Sequence, residues 1–92
     1  HTNVVNNFHI SKAYPNPFNP MVFLNLDVGL NMYLKVEILN LNGKTLSVLF
    51  NDNVGISQIS LQWDGSNFSS GIYFVRVTAK NRHYFQKITL LK

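Results

Sequence analysis

The sequence of 92 residues contains no cysteine. A disulfide framework, a thiolate nucleophile, a redox pair and a cysteine-type zinc cluster are therefore excluded. Acidic residues are scarce as well, with only Asp27, Glu37, Asp52 and Asp64, so the net charge of +4 reflects missing acids more than abundant bases. The eight lysines and arginines stand singly, without the runs that track a phosphate backbone, and nucleic acid is not expected as a partner. Four carboxylates leave little for acid–base catalysis, and no Gly-x-Ser-x-Gly elbow is present. His1, His9 and His83 lack the short spacing of metal ligands. The chain is expected to be non-catalytic and to hold neither metal nor cofactor. No apolar run approaches the roughly 20 residues that a membrane-crossing helix needs. The start, His1 to Asn7, has neither the charged nor the apolar region of a secretory signal peptide, and there is no initiator methionine. The expectation is a C-terminal piece of a longer protein. Residues 1–7 would be a linker or cloning remnant, and residues 8–92 one domain with a single core.

What the chain does contain is alternation. Its last stretch, Gly71 to Ala79 and then His83 to Lys92 around Lys80-Asn81-Arg82, is dominated by β-branched and aromatic residues and predicts a hairpin running to the final residue. Val22, Leu24, Leu26 and Val28 predict a half-buried strand. Another runs from Tyr33 to Asn40, with Leu34, Val36 and Ile38 facing in and Tyr33, Lys35 and Glu37 facing out. Asn42-Gly43 is a strong hairpin signal, and Leu46, Val48 and Phe50 place one face of the returning strand. Asn51 to Gly55 reads as a turn cluster, and Ile59, Leu61 and Trp63 share the next strand's inner face. A weaker first strand starts at Phe8, with Phe8, Ile10 and Lys12 on one side. All three prolines fall within Tyr14-Pro15-Asn16-Pro17-Phe18-Asn19-Pro20. Each fixes its own φ and holds its predecessor extended, so this is a stiff crossing, with Phe18 as its anchor in the core. About seven short strands and no helical period predict an all-β fold, an antiparallel immunoglobulin-like β-sandwich without the paired cysteines of antibody domains.

Two local clusters invite sharper readings. Asp64-Gly65-Ser66-Asn67 offers oxygen ligands for calcium, but with so few carboxylates an Asx-type turn is favoured. Trp63, Tyr73 and Tyr84 would make a sugar-stacking platform on one exposed face, yet Trp63 is in phase with Ile59 and Leu61, which favours burial.

The order and spacing of five motifs resemble the type A C-terminal sorting domain of the type IX (Por) secretion system. They are Tyr14-Pro15-Asn16-Pro17-Phe18-Asn19-Pro20, Val36 to Lys44 with Asn42-Gly43, Trp63-Asp64-Gly65, Ser70-Gly71-Ile72-Tyr73-Phe74, and Lys87-Ile88-Thr89-Leu90-Leu91-Lys92. The resemblance implies a signal on secreted proteins of Bacteroidetes and related phyla. Its partners would be the type IX translocon, outer-membrane sortase components and an upstream cargo domain of the same parent chain. The cargo would pass through the periplasm and end at the cell surface or in the medium. By the same resemblance, Lys87 to Lys92 would be the recognised element and the other motifs would maintain the fold. On physical grounds, a last strand at the edge of a rigid sandwich would offer main-chain groups for strand addition to a partner. The loop after Gly65 is shorter than in longer members. Related domains resembling the immunoglobulin-like modules of flagellar hook-cap proteins suggest the alternative, a structural or adhesive module, with carbohydrate binding ranked below it.

Overall fold

The computed structural model describes the backbone of Val4 and Val5 and all of residues 8–92. Eight strands follow one another without a helix among the described residues: β1 (Val4–Val5), β2 (Phe8–Ile10), β3 (Met21–Val28), β4 (Met32–Leu39), β5 (Thr45–Val54), β6 (Ser57–Asp64), β7 (Gly71–Ala79) and β8 (Arg82–Leu90). They form two antiparallel sheets, ordered β1-β2-β3-β6 and β5-β4-β7-β8. This is the expected sandwich, with seven substantial strands and the two-residue β1 beside them. Of the expected linker, only β1 is described, and it pairs with β2; the remainder lies outside the described residues.

The alternation of apolar residues generates the two layers, because successive side chains of a strand point to opposite faces. Val22, Leu24, Leu26 and Val28 of β3 share one core with Leu34, Val36 and Ile38 of β4, and with Val75 and Val77 of β7. Both hairpins form with turns suited to their sequences. At Asn40–Lys44 the Asn40 side chain accepts from the N–H groups of Asn42 and Lys44, and Gly43 takes φ +82°. That is a three-residue loop closed by a glycine in the left-handed region. At the second hairpin Lys80 and Asn81 both take positive φ, and Arg82 already pairs with Ala79. The turn therefore has two residues, and Arg82 belongs to the strand.

The structure departs from the expectations drawn from the sequence along β5, at Glu37 and at the ends of the first and last strands. Two irregularities in the β4–β5 pairing, between Val36 and Glu37 and between Ile38 and Leu39, re-aim β5. As a result Leu46, Leu49 and Phe50 pack on the core while Val48 is exposed. Strand β5 also continues through Asn51, Asp52 and Asn53, expected as a turn, because β4 offers a full partner edge as far as Met32. Glu37, expected to face solvent, is buried on the sheet's outer face by its cross-strand neighbour Arg76. The first strand ends at Ile10, leaving Lys12 exposed, and the last ends at Leu90 rather than at Lys92.

Candidate functional site

Strand β8 lies at the outer edge of its sheet. An exposed edge presents unpaired N–H and C=O groups. In an antiparallel pair these groups alternate in direction, and residues 83, 85, 87 and 89 turn theirs away from β7. Over its C-terminal half this edge is closed by the proline-rich crossing. Leaving β2, the chain bridges Tyr14 to Phe23, then reaches the opposite sheet, where Phe18 lies parallel to Leu90. The Phe18 N–H donates to the Thr89 carbonyl at 2.9 Å, and the Leu91 N–H donates to the Phe18 carbonyl at 3.0 Å. Asn16 completes the closure with its side chain: Oδ1 accepts from the Thr89 N–H and Nδ2 donates to the Lys87 carbonyl, both at 3.0 Å. The stiffness of a segment with three prolines in six residues holds these groups extended against the strand.

Beneath this clamp the other motifs meet. Ile88 and Leu90 are fully buried and Phe18 is 1% exposed. Trp63 packs with its ring centroid 5.9 Å from that of Phe18, 5.2 Å from Phe68 and 5.4 Å from Tyr73. Gly65 sits where a β-carbon would come 3.1 Å from Leu90 and 3.3 Å from Phe18, so the bare backbone lets β8 and the crossing close together. Its N–H donates to the Pro20 carbonyl. The following loop is an Asx-type turn, in which the Ser66 N–H and hydroxyl both donate to Asp64 Oδ1. Those two bonds, aided by the Lys92 charge, hold the Asp64 carboxyl below its usual range against a small opposing effect of burial. The loop also holds the chain's last residue: the Lys92 N–H donates to Ser70 Oγ, and Lys92 Nζ to the Ser66 carbonyl at 2.6 Å. Tyr73 donates its hydroxyl to the Ser69 carbonyl.

Four of the five motifs thus converge on the terminal strand. Asn42 and Gly43 do not join them; they make the β4–β5 turn, two strands away from β8. Of the expected recognition element, Ile88 and Leu90 are inaccessible in the folded domain. Lys87 and Leu91 are exposed, Thr89 is half-buried, and the Lys92 ammonium is engaged with the loop. Trp63 and Tyr73 are core residues and Tyr84 is half-buried, so the sugar-stacking platform is not formed by these rings.

Sequence reasoning missed two polar residues. Gln86 ties β8 to the other sheet, with Oε1 accepting from the Ala13 N–H at 2.8 Å and Nε2 donating to the Ser11 carbonyl at 2.6 Å. Glu37 receives Arg76 in bidentate fashion, Nε to Oε2 and Nη2 to Oε1, both at 3.0 Å, and Thr45 Oγ1 donates to it at 2.9 Å. Burial raises the Glu37 carboxyl. The Thr45 and Arg76 hydrogen bonds and the charges of Arg76 and Lys35 outweigh it, so the group sits below its ordinary value. A single acid in a strand of alternating residues carries no signal for this; its arginine partner is 39 positions away.

No His, Asp or Glu cluster among the described residues is arranged to hold a metal ion. The family model described as "Secretion system C-terminal sorting domain" matches residues 12–91, a span that starts between β2 and the crossing and ends just past β8. A comparison with curated proteins finds no match.

Proposed function

The chain belongs to the secretion system C-terminal sorting domain family of the type IX system, and from that premise we propose that it directs an upstream cargo in the same parent chain across the outer membrane. The cargo would enter the periplasm by a separate leader and finish at the cell surface or in the medium. The domain contributes binding and no catalysis.

The observation that supports this most directly is the convergence of the matched motifs on the terminal strand. Many β-domains cover an edge strand to avoid unwanted pairing; in this chain the cover is built by the motifs that the family model matches. Here Asn16 and Phe18 fix Lys87 to Leu91 in one conformation, and pre-organisation lowers the entropy cost of being recognised. The recognised surface is accordingly a composite one. Lys87 and Thr89 contribute from the strand and Leu91 from just beyond it, and Tyr14, Pro15, Asn16, Pro17 and Asn19 contribute from the crossing that lies against it. The Ile88 and Leu90 side chains serve as its anchors, with each fully buried aliphatic side chain contributing about 1.5–3 kcal/mol.

The test is a periplasm-targeted fluorescent reporter fused to residues 1–92, expressed in a type IX-competent host and in the same host with the translocon disabled. Deleting Lys87 to Lys92 would remove two core side chains and unfold the domain, so surface substitutions at Lys87 and Leu91 are the informative variants. Export that depends on the translocon and falls with these substitutions is expected. Retention of the folded fusion in the periplasm of the competent host would overturn the assignment.

A further inference from the structure

The clamp closes only part of the β8 edge. Asn16 and Phe18 take the outward groups from the Lys87 carbonyl onward. By the alternation that points Thr89 outward, the N–H and C=O of His83 and Phe85 and the N–H of Lys87 also face away from β7. Among the described residues none of these groups has a partner. Two hollows flank this open stretch and meet at Gln86. One, of about 410 Å³, is apolar, with Ile10, Val75, Val77 and Tyr84 in its wall. The other, of about 580 Å³, has Lys12 and Lys87 on its rim. Neither lysine is ion-paired among the described residues. The chain's acids are committed elsewhere: Glu37 to Arg76, Asp64 to Ser66, Asp27 facing His9, and Asp52 to the Asn53 N–H.

We propose that the open edge of β8, His83 to Lys87, is a docking site for an extended segment of a partner protein in which apolar and acidic side chains alternate. Its backbone adds as a new strand, in the manner of β-augmentation. Because side chains of a strand alternate between faces, every second one falls toward the apolar hollow while its neighbours stay outside. Acidic side chains there meet Lys12 and Lys87. Asn16 stops the added strand, fixing its register. A second copy of this chain suits the edge less well, since pairing two β8 edges would oppose cations with cations. The proposal deepens the sorting assignment by naming the partner's chemistry, and it rests on that assignment only for the partner being an export component.

The experiment titrates the 92-residue chain with a synthetic peptide alternating valine and glutamate, and with the same peptide carrying lysine for glutamate. Affinity is read by calorimetry and backbone protection by amide exchange. Expected are saturable binding of the acidic peptide, weakening with salt, and slowed exchange at the Phe85 and Lys87 amides. The double substitution Lys12→Glu and Lys87→Glu lowers affinity for the acidic peptide about tenfold or more. Both sites are exposed, so folding is preserved. Phe85→Pro, which removes one of the open donors, abolishes binding if that variant folds. Equal binding of the two peptides, or no protection at Phe85, overturns the proposal. So does protection that grows with protein concentration alone, since it would assign the edge to a second copy. If the peptide binds while the reporter fusion stays in the periplasm, the sorting assignment fails and the docking site stands. If the fusion is exported and the peptide does not bind, only the docking site falls.

Discussion

Replacing Asn16 with alanine removes both side-chain bonds that this residue makes to β8, to the Thr89 N–H and the Lys87 carbonyl, each at 3.0 Å. A hydrogen bond is worth about 0.5–1.5 kcal/mol net. The groups left behind lie at an exposed edge and regain water, so no penalty for buried unpaired groups is added. The two main-chain bonds of Phe18 persist, at 2.9 and 3.0 Å. The expected cost is therefore about 1–3 kcal/mol, or a fall in Tm of roughly 5–20 °C for a domain of this size. Asn19→Ala, a neighbour in the same segment without such bonds, serves as the control and is expected within about 0.5 kcal/mol of the parent. Urea unfolding followed by Trp63 fluorescence measures the global loss. Amide exchange separates it from local loosening, and the Thr89 and Leu91 amides are expected to speed up more than those of β3 or β4. If Asn16→Ala costs no more than Asn19→Ala and leaves exchange at Thr89 unchanged, then the Asn16 side chain adds nothing to what the β7 ladder, the Phe18 main-chain bonds and burial of Ile88 and Leu90 already supply. The Asn16 half of the clamp would then be a contact without energetic weight.

Other perturbations reach different parts of the same structure. Leu90→Ala empties a fully buried site against Gly65 and the Phe18 ring and is expected to cost about 2–5 kcal/mol in denaturant unfolding. Gly65→Ala forces Leu90 and Phe18 back by a few tenths of an ångström, with an expected loss of about 1–3 kcal/mol and a changed near-ultraviolet dichroism of the aromatic cluster. The Glu37 carboxyl lies lower in the folded chain than its unfolded value near 4.5. Its contribution is thus fully present above that pH and is lost as pH falls through the lower folded value. Glu37→Gln should flatten the acid limb of a stability-versus-pH curve. Arg76→Ala removes the bidentate partner and also the side chain that covers Glu37, so the carboxylate regains water beside Thr45 and Lys35, and the expected cost at neutral pH is about 1–2 kcal/mol in denaturant unfolding. At the β7–β8 turn both Lys80 and Asn81 have positive φ. Changing them to Asn-Gly should raise stability by about 0.5–1 kcal/mol in thermal melts, with no change at the clamp.

The parts of this fold that depend on neighbours in sequence were legible without coordinates. The inner faces of β3, β4 and β6, the Asn42-Gly43 turn and the terminal hairpin all follow from period-two alternation and turn chemistry. The stiff crossing and the anchoring by Phe18 were equally readable from the clustered prolines. What could not be read depends on which strands become neighbours. Glu37 looked solvent-facing because alternation assigns a face and not a burial, and only the arrival of β7 places Arg76 across from it. Asn51, Asp52 and Asn53 look like a turn in isolation but are carried as strand by the pairing edge of β4. The motifs near the C-terminus marked Lys87 to Lys92 as a unit. Two of its six residues, Ile88 and Leu90, nonetheless prove to be core, and its outer edge is closed by residues more than seventy positions earlier.

That separation sets a condition on when the signal exists. Asn16 meets Lys87 and Thr89 across 71 and 73 residues of chain. Contacts of such length form only after a large loop is closed, which makes them among the costlier ones to establish during folding. A nascent, truncated or misfolded chain would carry the letters Lys87 to Lys92 without the surface those letters contribute to. A receptor reading the composite surface would therefore be reading two facts at once: which chain has arrived, and that its C-terminal domain has finished folding.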